Sequence, residues 1–182
     1  MAPKRSDDDT PLDDQVLLKR AANGNAAAFH ELMDRHMARL FRLAVSLLGN
    51  SADADDVVQE TFVGAFRGLS KFQGRSSVAT WLTRICVTQV AVLRRSKKRK
   101  ESQAIEVQQM AARTGGGDAK IDIQAALAQL SPAHREVLVL REFERMSYDE
   151  IADAIGVAQG TVESRLYRAR AELRNLLQAY LP

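Results

Sequence analysis

A chain of 182 residues with an apolar fraction of 46% is long enough for one ordinary domain or two small ones, each with a real core. The single cysteine, Cys86, excludes an intrachain disulfide, and three scattered histidines without cysteine partners argue against a zinc site, so neither a metal nor a cofactor is expected. The formal charge of +3 is small but unevenly spread: Asp7, Asp8, Asp9, Asp13 and Asp14 crowd the start, whereas residues 94–100 read RRSKKRK.

Residues 1–14 are polar and biased, with no apolar periodicity to fix a packed structure, and read as a mobile acidic tail with order beginning near Val16. From Ala26 to Leu48, Phe29, Leu32, Met33, Met37, Leu40, Ala44 and Leu47 recur at three and four residues, the inward face of a long helix stopped by Gly49 and Asn50. Ser51 is placed to cap a second helix from about Ala52 to Leu69, with Val58, Phe62, Ala65 and Leu69 inward and Asp56, Gln59, Glu60, Val63 and Arg67 on the opposite face. Gly74 and the serines after it make a loop. A third helix runs from about Val78 into the basic block and carries Trp81, Leu82, Ile85, Val92 and Leu93.

Residues 101–121 lose apolar density and contain Gly115, Gly116 and Gly117 in a row, the composition of a flexible linker between domains. Ile121 to Leu130 is a short amphipathic helix. Ser131-Pro132 reads as an N-cap followed by proline at the first helical position, opening a helix over 132–143. Ser147 and Glu150 form a capping-box pattern before Ile151 and Ile155, Gly156 breaks that helix, and a longer one follows from about Gln159 to Leu177. Strand-like alternation and fixed-period repeats are lacking, so the fold class is all-α: two small helical domains joined by a linker, with boundaries at 15–100 and 122–182. No stretch approaches ~18 consecutive apolar residues, and the acidic start lacks a signal-peptide layout, so the chain is expected to be soluble and cytoplasmic, without membrane insertion.

The short helix, the Gly156-Val157-Ala158 turn and the longer helix make a helix-turn-helix, whose second helix enters the major groove. At ~100° per residue Val162, Leu166, Ala169 and Leu173 fall inward, leaving Thr161, Glu163, Ser164, Tyr167 and Arg168 outward. Arg168 can read a guanine edge or hold a phosphate, and Arg165 and Arg170 flank the face as phosphate contacts. In the first half, an exposed loop at Gln73 to Ser77 beside Trp81 and the basic run can hold a displaced strand and pocket an unstacked base. Trp81 also reads as a core anchor, Cys86 as a small packed side chain, and His30, His36 and His134 as ordinary helix residues.

The segment LSPAHREVLVLREFERMSYDEIADAIGVAQGTVESRLYRARAELRNLL, residues 130–177, resembles region 4 of sigma factors of the extracytoplasmic-function group, and ADDVVQETFVGAF resembles the polymerase-binding helix of sigma region 2. KFQGRSSVATWLTRICVTQVAVLRRSKKRK is similar to the part of region 2 that recognises and melts the minus-10 element. The resemblance implies a factor that binds RNA polymerase core, at its beta-prime clamp and beta subunits, and directs promoter-specific transcription initiation, with catalysis left to polymerase. It implies that Asp55, Asp56, Gln59 and Glu60 meet the beta-prime coiled coil. Gln73, Arg75, Ser76, Trp81, Arg84, Thr88, Arg94, Arg95, Lys97 and Lys98 would handle single-stranded minus-10 DNA. Thr161, Glu163, Ser164, Arg165, Tyr167, Arg168 and Arg170 would handle duplex minus-35 DNA, with 101–121 threading toward the polymerase active site and RNA exit. Family analogy adds an anti-sigma factor as a partner. Glu163 stands where many relatives carry a basic residue, Ala158 where serine or proline is frequent, Thr88 where asparagine and Val92 where aspartate are common.

Two other readings stay open on the residues themselves. A free-standing repressor or activator would use the same helix-turn-helix and dimerise, or bind an effector, through its first half. A helical nucleic-acid-processing enzyme would need a shared catalytic site, for which Asp55, Asp56 and Glu60 are the candidates.

Overall fold

The computed structural model describes residues 12–103 and 123–178. Helix α1 (Asp14–Ala22) opens on Asp13, whose carboxylate accepts the Gln15 amide. Asp14 reaches α2 (Ala26–Leu48), 3.1 Å from the Arg35 guanidinium and 2.7 Å from His36 Nε2. The last two acids assigned to the tail are therefore structural: one caps a helix and the other pins it. Residues 1–11 of that expected tail lie outside the described residues. Helix α2 has the bounds its periodicity predicts, beginning on an Asn25 cap and ending at Gly49 with φ 82°, a left-handed turn that glycine adopts without a Cβ clash.

Helix α3 (Ser51–Gly68) is capped by Asn50 rather than Ser51: the Asn50 side-chain oxygen accepts the Asp53 amide at 2.8 Å, and Ser51 is already helical. A short 3₁₀ turn, Leu69–Lys71, ends it. Helix α4 (Val78–Gln103) continues three residues past the basic block, into the stretch read as linker. Leu17, Leu40, Leu47, Phe62, Ala65, Leu82 and Val90 fill the space between these four helices.

The second half begins with α5 (Ile123–Gln129) and α6 (Pro132–Leu138), the latter capped by Ser131 with proline in its first turn. The expected single helix over 132–143 changes character at Val139: residues 139–143 form a π turn, closed by the Glu144 amide donating to the Val139 carbonyl at 3.2 Å. Helix α7 (Tyr148–Ile155) carries both hydrogen bonds of the capping box and ends at Gly156, φ 69°. Helix α8 (Gln159–Gln178) buries Val162, Leu166 and Ala169, with Leu173 partly covered.

The two halves dock on each other. A single buried cluster runs from Leu17 to Ala169, and α4 packs on α7 while α2 meets α5, α6 and the π turn. Most of the connector lies outside the described residues, but the helices on either side of it share a joint. Among the described residues there is no strand, and no helix is long and apolar enough to cross a membrane.

Candidate partner and nucleic-acid surfaces

The outward face of α3 is acidic and open. Asp55, Asp56, Gln59 and Glu60 are all exposed, while Ala54, Val57, Val58 and Thr61 turn into the core. Beside this row lies a groove of ≈1060 Å³ between α2 and α3, lined by Phe29, Met33, Met37, Phe41, Val58, Phe62, Val63 and Phe66, with Asp34, Asp55, Gln59 and Arg67 at its rim. Periodicity placed Phe29, Met33 and Met37 with the inward residues of α2. Leu32, Leu40, Ala44 and Leu47 are indeed buried, but Met37 is 44% exposed and Phe66 60% exposed. The signal for the groove was present in the sequence: Val63 and Phe66 add a second apolar row to α3, wider than one bundle face requires. Asp55, Asp56 and Glu60 do not gather into a metal site, and no group of three metal-ligating side chains exists among the described residues.

In the loop before α4, Gln73 and Arg75 are exposed and Ser76 half-buried. The Ser77 hydroxyl accepts the Thr80 amide at 3.0 Å, starting the helix. Trp81 is half-buried with its ring 5.1 Å from that of Phe72, an anchor that retains some open surface. Thr88 is exposed and donates to the Arg84 carbonyl at 2.9 Å. The basic residues of α4 divide. Arg95 and Lys98 are exposed; Lys97 sits 2.5 Å from Asp53. Arg94 donates to the Leu47 carbonyl at 2.7 Å and lies 3.4 Å from Glu136, while Arg84 lies 3.5 Å from Asp153. Sequence reasoning assigned both arginines to DNA; here they face the second half of the chain.

On α8 the outward set emerges as the arithmetic requires. Glu163, Ser164, Tyr167 and Arg168 are exposed, Tyr167 by 79%, and Thr161 and Arg165 are half-buried. The Ser164 hydroxyl donates to the Thr161 carbonyl at 3.0 Å, and Arg170 is held 2.8 Å from Glu142, which ties its guanidinium to the π turn. The Arg141 guanidinium lies over the Tyr148 ring at 5.0 Å, and its Nη1 donates to the Met146 carbonyl at 2.7 Å, bracing the start of α7.

Residues 32–100 match the family model for sigma-70 region 2, and residues 120–173 match that for sigma-70 region 4. The sigma factor NccH of Alcaligenes xylosoxydans xylosoxydans is 34% identical over 180 residues, spanning 93% of this chain and 97% of that one. The extracytoplasmic-function sigma factor SigM of Mycobacterium tuberculosis is 37% identical over 165 residues, spanning 90% of this chain and 84% of that one. The chain belongs to the extracytoplasmic-function sigma factors. It is thus a transcription initiation factor that directs promoter-specific initiation, not an enzyme. A free-standing regulator sharing only a helix-turn-helix would not match region 2 over residues 32–100. Among solved structures, CnrH in complex with the cytosolic domain of CnrY superposes on this sigma factor with a TM-score of 0.66 at 32% identity, covering 91% of this chain and 97% of that one. RpoE in complex with the anti-sigma factor NepR from Bartonella quintana gives 0.67 at 28% identity, covering 82% and 96%.

Among the described residues, burial is the largest influence on the ionisation of Cys86, Glu136 and Arg135, the last of which it lowers. Desolvation pushes the Cys86 thiol up to about 12, leaving it a packed side chain rather than a nucleophile. Glu136, between α4 and α8, is raised above the usual carboxylate range by desolvation, against the opposing pull of Arg94 and Arg165.

Proposed function

We propose that the acidic row of α3 and the apolar groove beside it together form the docking site for the beta-prime clamp of RNA polymerase core. Supporting this is the juxtaposition of Asp55, Asp56, Gln59 and Glu60 with an open floor containing Phe66 and Met37. A partner helix with an apolar ridge and basic flanks fits such a surface: the groove supplies buried area, and the carboxylates set orientation and speed encounter. The beta subunit is the further polymerase contact. The residues fall into units at 15–100 for core binding and minus-10 DNA, 101–121 as linker, and 122–182 for minus-35 DNA, preceded by the acidic tail.

In the second unit, Thr161, Glu163, Ser164, Arg165, Tyr167, Arg168 and Arg170 serve the duplex at minus-35, with Tyr167 and Arg168 among the exposed groups. Gln73, Arg75, Ser76, Trp81, Arg84, Thr88, Arg94, Arg95, Lys97 and Lys98 serve the single strand at minus-10. An anti-sigma factor is a natural competitor for these surfaces, since the similar CnrH and RpoE structures are complexes, the latter with the anti-sigma factor NepR. The site of action is the cytoplasm, with polymerase and DNA.

The test is run-off transcription on fragmented source-genome DNA with purified core polymerase, mapping RNA 5′ ends with and without the chain. New starts sharing upstream elements are expected. Asp56→Lys with Glu60→Lys should abolish them by abolishing core binding in a pull-down, while Arg168→Ala should retain core binding and lose starts. If the double lysine variant bound core as wild type does, the α3 assignment would be wrong.

A further inference from the structure

We propose that Glu163 sets promoter specificity by accepting a hydrogen bond from the N4 amino group of one cytosine in the major groove at minus-35. The inference rests on the assignment of α8 to minus-35 DNA made above and adds to it the base that one side chain reads.

Glu163 lies in the second turn of α8, and the N-terminal turns of the second helix in a helix-turn-helix are those that reach base edges. Its side chain is exposed while Val162 before it is fully buried, so the packing of α8 fixes where the carboxylate projects. Among the described residues that carboxylate enters no hydrogen bond or ion pair. The positions where a helical ion pair would form, three and four residues to either side, are Gln159, Gly160, Leu166 and Tyr167, none of them a cation. Arg170, two turns on, is committed to Glu142 at 2.8 Å. Gly160, one turn before Glu163, leaves the approach bare, since a Cβ there would meet no neighbour within 4 Å.

A carboxylate brought against DNA is repelled by phosphates and loses water, so it is tolerated only where a donor meets it. In the major groove the donors are cytosine N4 and adenine N6, whereas guanine O6 and N7 and thymine O4 are acceptors that repel the carboxylate. Adenine also sets its N7 acceptor beside N6, while the cytosine amino group has only a C–H beside it on its own base. Cytosine is therefore the base that Glu163 favours. Ser164 extends the same polarity: its hydroxyl hydrogen is given to the Thr161 carbonyl at 3.0 Å, leaving the oxygen as an acceptor. Two successive exposed side chains thus offer acceptors, and Arg168, farther along the helix, supplies the donor suited to guanine. Attraction comes from other groups. Arg168 and Arg174 are exposed on the same helix, and Arg174 shares a shallow cup of ≈400 Å³ with Glu163, Tyr148 and Tyr167. These cations draw in phosphates whatever the sequence, and the carboxylate discriminates by penalising the wrong base.

The experiment uses holoenzyme assembled from purified core polymerase and the full chain. From one start mapped as above, templates are made with every single base-pair substitution across the upstream element, each marked by a barcode in the transcribed region. RNA from the pooled templates is sequenced for wild type, Glu163→Gln and Glu163→Lys, with circular dichroism to establish folding. Wild type should prefer one C·G pair of the element roughly tenfold over any replacement. At that pair alone, Glu163→Gln should move the preference to adenine, which glutamine meets through N6 and N7, and Glu163→Lys should move it to guanine. A preference gained for a new base is an outcome that damage to the fold does not produce. If both variants rank the templates as wild type does, or lower all of them uniformly, the role of Glu163 is overturned while the α8 assignment stands. If wild-type output ignores every upstream substitution, the α8 assignment falls and takes the inference with it.

Discussion

Phe66 tests the docking surface at its most exposed apolar point. The side chain is 60% exposed, with the remainder lying edge-on to the Phe29 ring at 5.3 Å. A phenylalanine offers ~200 Å² of surface, so a partner covering the open part removes about 120 Å² from water, worth about 3 kcal/mol at ~25 cal/mol per Å². That figure corresponds to roughly 100-fold in Kd, and side-chain ordering reduces the expected loss for Phe66→Ala to between about 10-fold and 100-fold. The same substitution removes the buried remainder and the ring contact, lowering fold stability by about 2 kcal/mol. The affinity is read by fluorescence titration of labelled sigma factor with core polymerase, well below the variant's melting temperature, so that unfolded chain does not enter the measured Kd. Duplex binding through α8 serves as the internal control and should not move. Core affinity within twofold of wild type, in a folded Phe66→Ala protein, would refute the idea that the groove floor is covered by polymerase.

Three further outcomes follow from local geometry. Asp53 is held below the usual carboxylate range first by the Lys97 hydrogen bond and then by Asn50. Its contribution is therefore present above the unfolded carboxylate value of about 4 and is lost as pH falls through the folded value. Lys97→Met should flatten urea-unfolding stability in that acid window relative to wild type, and parallel curves would remove the coupling. Glu136 has the opposite sign, its raised value favouring the folded state as pH falls, so the comparison must be made between variants rather than from one curve. Cys86, at 0% exposure, should react with a thiol-exchange dye at neutral pH only as fast as the chain opens, and rapid stoichiometric labelling of native protein would contradict its burial. Ser147→Ala deletes the acceptor of the α7 capping box and should lower unfolding free energy by ~1 kcal/mol, seen as a drop of several degrees in Tm.

Local signals were the legible part of the sequence. Gly49, Gly156, the Ser147-Glu150 box and the Ser131-Pro132 pair are written in adjacent residues, and each marks the helix boundary it predicts. The cap of α3 fell one residue away because asparagine and serine stand side by side and both can accept an amide; the backbone enters the helix after Asn50. Asp13 and Asp14 were lost in an acidic run: Asp13 caps α1 locally through the Gln15 amide, and the partners of Asp14, Arg35 and His36, lie more than twenty residues on. The joint between halves was hidden for a related reason, and the extra apolar row of α3 did not by itself tell a groove from a buried face. An apolar stripe states that a face is covered but not how much of it, and Met37 and Phe66 are left over once the bundle is full. The long-range pairs Arg39–Glu144 and Arg94–Glu136 have no spacing to betray them.

The π turn at Val139–Phe143 makes the length of that segment a structural quantity in its own right. A π turn absorbs one more residue than the α turn it replaces with little change of phase, whereas losing a residue while the π turn is kept would rotate everything downstream by ~100°. Glu144 would swing away from Arg39, and the helix-turn-helix would present a different azimuth to DNA. Hybrid factors that exchange promoter-reading modules should therefore be spliced before Ile123, so that the segment and the modules it aims travel together. A splice placed between Val139 and Met146 would combine two well-folded parts with their phase lost.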